Sequence, residues 1–171
     1  MKSLLAVIML SAPVLALAQY SNPDANFYEH AAQGGMAEVE AGKLAQKNGS
    51  SQAVKEFAAM MVKDHTAAND KLKQLADSKS VKLPDGPSVT QKAKGKMLEM
   101  KSGTSFDKEY IQGQIKAHQD TVELLKKEID SGKDADAKQF ASEILPKVEA
   151  HLTRINKIAA AEGVIKTSRN D

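Results

Sequence analysis

The chain of 171 residues contains no cysteine and no tryptophan. The absence of cysteine excludes disulfides and thiolate metal ligands, and it excludes lipid attachment at an N-terminal cysteine. Aromatic residues are also few, with four phenylalanines and three tyrosines. The fold must therefore be stabilised by the packing of aliphatic side chains.

No apolar run is long enough to span a membrane. The first run is interrupted by Ser11 and Pro13, whereas a spanning helix needs roughly 20 apolar residues. A basic residue before the run and small residues up to Ala18 are typical of a signal peptide that is cleaved after Ala18. We expect a signal peptide over residues 1–18 and a single helical-bundle domain over 19–171. The mature protein would be periplasmic or secreted, with no integral membrane insertion.

Neither sign of charge dominates. Lysine and arginine total 24 and aspartate and glutamate total 22, and loss of Lys2 with the leader leaves 23 against 22. With this balance, nothing in the charge points to nucleic-acid binding, which favours a basic surface. No nucleic-acid partner is expected, no protein partner can be named, and peripheral association with the envelope or its outer membrane stays open.

The mature part is rich in Ala, Lys, Glu, Gln and Leu, which favour helices. Capping and breaking residues divide it into four long helices and a short one. Pro146 lies inside the last helix and predicts a kink there. The predicted bounds are 24–48, about 51–80, 88–101 for the short helix, about 104–131 and about 134–163.

These proportions predict an all-α fold, a four-helix bundle. The turns after the first and third long helices are only a few residues long, so each pair should form an antiparallel hairpin. The link between the second and third long helices spans about 22 residues, enough to return along the bundle. We therefore predict a ferritin-like bundle with a long crossover that contains the short helix. An up-down-up-down bundle capped by the short helix stays open.

Three long helices each carry a histidine in their apolar stripe, namely His65, His118 and His151. Each histidine continues a helical repeat of core-type residues. Each also lies near the middle of its helix, so the three should lie within about 5 Å of one plane. The first helix offers Glu38 at similar height. On one of its two competing faces Glu38 points inward, and on the other Glu38 and Glu40 flank the core.

This layer has two interpretations. Neutral imidazoles with a carboxylate can bind zinc, copper or iron, which makes His65, His118, His151 and Glu38 candidate ligands of a transition metal. Alternatively, the histidines bind water or neighbouring carboxylates and form a polar layer that fixes helix register. Ring nitrogens about 3 to 4 Å apart would suit a common ion, and separations beyond about 8 Å would favour the polar layer. The neighbouring carboxylates are Asp64, Asp120 and Glu149.

No catalytic motif is present. A ferritin-type di-iron site needs glutamate three residues before histidine on two helices, but those positions hold Val62, Ile115 and Val148. The nucleophile elbow, the phosphate loop and the zinc-peptidase helix motif are also missing. We predict no catalytic residue. The favoured function is binding of a metal or small ligand through the histidines, or envelope stress tolerance without catalysis; a structural protein comes next and a metal-dependent oxidoreductase last.

Three motifs follow one another along the chain: Asp64-His65, Phe106-Asp107-x-x-Tyr110 followed by His118, and Leu145-Pro146 followed by His151-Leu152. In this order they resemble the DUF4142 family, and the similarity extends from about Asn26 to Ala160. The resemblance implies a ferritin-like bundle exported by bacteria to the periplasm or outer membrane, with no agreed biochemical activity. The family pattern includes the three histidines but does not say what they bind.

Overall fold

The computed structural model describes residues 23–165, and this part of the chain is helical with no strand. The helices begin and end within a few residues of the predicted bounds, and α5 continues through Pro146. The predicted signal peptide lies outside the described residues. The helices are α1 (Pro23–Asn48), α2 (Gln52–Ser78), α3 (Val89–Glu99), α4 (Gly103–Ser131) and α5 (Ala135–Ala161).

Local capping determines where three of the helices begin. The Ser51 hydroxyl accepts a hydrogen bond from the third residue of α2, and Ser88 forms a reciprocal capping box with Gln91 at the start of α3. The Asp134 carboxylate accepts from two backbone nitrogens in the first turn of α5. These side chains satisfy backbone N–H groups that have no partner within the helix, which is why the helix starts are readable from the sequence.

Two aspartates connect α1 with α4 at opposite ends of the bundle. The Asp107 carboxylate accepts from the backbone nitrogens of Ser50 at 3.1 Å and Ser51 at 2.8 Å, and from the Ser50 hydroxyl. At the other end, Asp24 accepts from the backbone nitrogen of Lys133 at 2.7 Å. The start of α4 therefore lies beside the end of α1, and the end of α4 beside the start of α1. The two helices are antiparallel.

The second and fourth helices run parallel to each other. Ser51, at the start of α2, contacts the first turns of α4 through Asp107. The end of α2 lies beside the start of α5, where Lys79 forms a 2.8 Å ion pair with Asp134. The segment 79–102 must therefore return along the bundle, and α3 packs on α1 and α4 along this path. The bundle has the predicted long crossover and is not an up-down-up-down bundle.

The core consists of two apolar clusters, with the three histidines between them. Along α2, α4 and α5, each histidine is preceded by residues of one cluster and followed by residues of the other. The cluster nearer the α1–α2 turn includes Phe57, Met61, Phe106, Tyr110, Ile111 and Ile155. The second cluster includes Phe27, Tyr28, Leu72, Leu125, Phe140 and Val148.

Candidate metal centre

His65, His118 and His151, which we call the histidine layer, meet in the middle of the bundle. Their ring centroids are 5.6 to 5.7 Å apart, and all three side chains are buried. One ring nitrogen from each residue lies within 4.8 Å of those of the other two. Three helices that are distant in sequence thus bring three imidazoles together at one height, as helical periodicity predicts.

The orientation of His118 leaves one nitrogen available for a ligand. Its Nδ1 lies 2.9 Å from the backbone carbonyl oxygen of Gln114. Because a carbonyl oxygen can only accept, Nδ1 carries the proton and Nε2 carries the lone pair of the neutral ring. This Nε2 is buried and has no hydrogen-bond partner in residues 23–165.

A carboxylate orients His151 in the same manner. Nε2 of His151 donates to Oδ2 of Asp64 at 3.0 Å, and Asp64 also lies 3.8 Å from the Lys147 ammonium. Nδ1 is then the unprotonated nitrogen, and it too is buried without a partner in the described part of the chain. Metal-bound histidines commonly donate their second nitrogen to a carboxylate or a backbone carbonyl. Both arrangements occur in this layer.

The third imidazole, His65, faces the other two. Its Nε2 is buried and has no partner among the described residues. Burial, reinforced by the neighbouring histidines, lowers the pKa of His65 to about 3. Burial likewise lowers the pKa of His118 to about 4, and it lowers the pKa of His151 against the opposing effect of Asp64. All three rings are therefore neutral at pH 7, which is the form that binds metals.

The separation of the ring nitrogens lies between the about 3 to 4 Å that suits a common ion and the about 8 Å beyond which a polar layer is favoured. The ligand atoms lie within 4.8 Å of one another, whereas nitrogens that share a tetrahedral zinc ion through bonds of about 2.1 Å lie about 3.4 Å apart. The longest separation would therefore have to shorten by about 1.4 Å for the three rings to share an ion.

The structure does not bring Glu38 into this cluster. Glu38 is buried on the inward face of α1, and its Oε2 accepts from the side-chain nitrogen of Gln114 at 2.6 Å. Burial raises the pKa of Glu38 to about 7. Gln114 therefore connects the two residues: its side-chain amide contacts Glu38, and its backbone carbonyl contacts His118. Glu40 is exposed.

Sequence reasoning did not identify Gln114, although a signal exists. It is a polar residue in the apolar stripe of α4, one turn before His118. Of the three carboxylates considered as histidine partners, Asp64 contacts His151. The other two, Asp120 and Glu149, form ion pairs with Lys116 and Lys126.

The sequence matches, over residues 10–158, the family model described as a domain of unknown function, DUF4142. The chain belongs to the DUF4142 family. No curated protein matches it. In residues 23–165, no helix has the length and apolar composition needed to cross a membrane.

Solved structures share the fold of this DUF4142 chain. A candidate secreted protein of DUF305 from Streptomyces coelicolor matches with a TM-score of 0.72 and 16% identity, over 88% of this chain and 98% of the other. A conserved hypothetical protein from Mycobacterium tuberculosis matches with a TM-score of 0.64 and 19% identity, over 82% and 92%. At such identities the similarity shows the fold alone.

Proposed function

We propose that this DUF4142 protein binds one transition-metal ion through the histidine layer. Two observations support this function: each of the three imidazoles has a buried ring nitrogen with no partner within residues 23–165, and one ring nitrogen of each lies within 4.8 Å of those of the other two. Buried polar atoms in proteins are rarely left unpaired. Unpaired nitrogens on three imidazoles that meet in one place fit a common ligand better than three separate defects.

The donor set suits zinc, copper or iron. Neutral imidazoles bind all three metals, whereas magnesium and calcium prefer oxygen ligands. Asp64 would orient His151 and offset part of the charge of the ion, and the Gln114 carbonyl would orient His118. Glu38 lies outside the cluster of ring nitrogens and is hydrogen-bonded to Gln114, so we assign it a supporting position beside the site.

Binding without turnover is the function that these residues support. The glutamates that a ferritin-type di-iron site needs are replaced by valine and isoleucine, and apolar clusters flank the layer on both sides. We propose that the predicted leader, residues 1–18, directs export, and that the mature protein binds metal in the periplasm or outside the cell. In that location, metal sequestration would contribute to envelope stress tolerance.

Elemental analysis of the exported protein tests the metal site. We expect close to one equivalent of zinc, copper or iron per chain, either as purified or after titration of the metal-free protein. The triple variant His65→Ala, His118→Ala, His151→Ala should bind none.

The variant His30→Ala is the matched control, because His30 is an exposed histidine outside the layer. It should retain the full equivalent of metal. Wild-type protein that binds none of the three metals would contradict the proposal and favour a polar layer that fixes helix register. Mass spectrometry of the same sample should find an N-terminus at Gln19 if the leader is cleaved as predicted.

A further inference from the structure

A groove of about 1120 Å³ lies along α1 and α4 on the side of the bundle that α3 crosses. Small residues on the facing sides of the two helices keep this space open, because their side chains are too short to meet. They are Gly34, Ala37 and Ala41 on α1 and Gly113 and Ala117 on α4. The volume slightly exceeds the usual range for small-molecule sites, about 300–1000 Å³.

Helix α3 forms one wall of the groove but does not close it. None of its residues is buried, and Met97 is 66% exposed although it lines the groove. Leu98 is its most firmly packed apolar residue and lies partly buried against the first cluster. An apolar molecule in the groove would therefore gain contacts with α3 that the core of the bundle does not use.

Two buried polar atoms lie on residues that line this groove. Tyr110 and Gln114 are 1% and 3% exposed, and the Tyr110 hydroxyl and the Gln114 Oε1 have no partner in the part of the chain described. The Tyr110 ring is held by stacking on Phe106 at 6.0 Å, and the Gln114 amide nitrogen is occupied by Glu38. The two residues are one helical turn apart on α4, so their side chains start from the same face of the helix.

The charges around the groove argue against an ionic ligand. Glu38 lies beside the two polar atoms, and an anion there would meet another carboxyl group. Neither sign of charge dominates among the lining residues, which include four lysines and five acidic residues, and Lys96 pairs with Glu99 and Lys116 with Asp120. The lysines are Lys92, Lys94, Lys96 and Lys116, and the acidic residues are Glu38, Glu40, Glu99, Glu109 and Asp120. A cation would have to lose its hydration in a mostly apolar groove.

We propose that this groove binds an uncharged amphipathic small molecule, with its apolar part between α1, α3 and α4. Its single hydroxyl or carboxamide group accepts a hydrogen bond from Tyr110 and donates one to Gln114. Either group both accepts and donates, as the two protein atoms require. The proposal does not depend on metal in the histidine layer.

Titration of the full mature chain with octan-1-ol, followed by backbone amide NMR shifts, tests the groove. We expect saturable shifts confined to residues that line the groove. Two ligands of similar length serve as controls: 1-methoxyheptane keeps the acceptor but has no donor, and octanoate carries a charge. Both should bind at least about fivefold more weakly, as expected for the loss of one hydrogen bond or for an added buried charge.

Substitutions of the protein locate the ligand. Ala117→Trp fills the groove and should abolish the shifts, whereas Ala150→Trp adds the same side chain at an exposed site on α5 and should leave them unchanged. Tyr110→Phe removes the hydroxyl alone and should weaken binding about fivefold. Absence of saturable shifts in the wild type, equal affinity for the ether, or undiminished binding by Ala117→Trp would each overturn the proposal.

Discussion

At one end of the bundle, Asp107 accepts hydrogen bonds from two backbone nitrogens and a serine hydroxyl, whereas in the middle each histidine keeps one buried nitrogen unpaired. A buried polar group without a partner costs about 1–3 kcal/mol. Without metal, the histidine layer therefore reduces stability, while Asp107 increases it. This difference is expected if the ends of the bundle maintain the fold and the middle is kept for a ligand.

The largest expected effect is a decrease in the stability of the metal-free protein as the pH falls. Unfolded histidines titrate near pH 6.5, whereas burial holds the pKa of His65 at about 3 and that of His118 at about 4. At pH values between 6.5 and these lowered pKa values, the unfolded chain binds more protons than the folded chain does. The free energy of unfolding therefore falls as the pH falls. Each histidine contributes at most about 1.4 kcal/mol per pH unit, which gives a total loss on the order of 5 kcal/mol from pH 6.5 to 4.

Urea unfolding of the metal-free protein at a series of pH values measures this loss. The triple alanine variant of the histidine layer is the comparison, because it retains the acidic residues at the ends. Its stability should change much less over this interval. Equal slopes for the two proteins would show that the layer is not the source of the acid sensitivity.

Metal binding should offset the loss of stability that the unpaired histidine nitrogens cause. An ion that binds only the folded state at about 1000 times its Kd stabilises it by about 4 kcal/mol. Thermal unfolding with and without zinc should show this increase in wild type and in His30→Ala. No increase is expected in the triple variant, and an equal increase there would mean that the ion binds elsewhere.

Loss of Asp107 should be the most destabilising single change at the ends. Asp107→Ala removes the acceptor of the Ser50 and Ser51 backbone nitrogens, and we expect a loss of about 3 kcal/mol. Asp70→Ala changes an exposed aspartate on α2 and should alter the free energy of unfolding by less than about 0.5 kcal/mol. Metal affinity should be unchanged in Asp107→Ala, and a parallel loss of affinity would mean that the ends and the middle are coupled.

The features that sequence predicted are those with local signals. Capping and breaking residues placed the helix starts to within a few residues, and helical periodicity places the histidines inward. By contrast, the tautomer of His118 depends on its contact with the Gln114 carbonyl, and that of His151 on Asp64 from another helix. Those contacts depend on side-chain orientation and helix packing, which periodicity does not specify.

The sequence of α1 does not specify which face of this helix points inward, for a similar reason. Small residues occur on several sides of this helix, so its hydrophobic pattern does not select one. In the structure Gly42 faces α2 at close range: a Cβ there would lie 2.8 Å from the Val62 side chain and 3.0 Å from the Ala58 carbonyl oxygen. Close approach of α1 to α2 at this point leaves Glu38 directed towards Gln114 on α4.

The smallest expected effect on stability is that of His65→Leu, and it distinguishes a ligand site from a structural layer. His65→Leu replaces a buried imidazole that has an unpaired nitrogen by an apolar side chain. In metal-free protein the free energy of unfolding should stay unchanged or rise by up to about 1 kcal/mol, while metal affinity falls. His30→Leu, at an exposed position, should alter neither quantity. If His65→Leu instead lowered the metal-free stability by several kcal/mol, the imidazole would be serving helix register, since a residue kept only for a ligand contributes nothing to the fold without it.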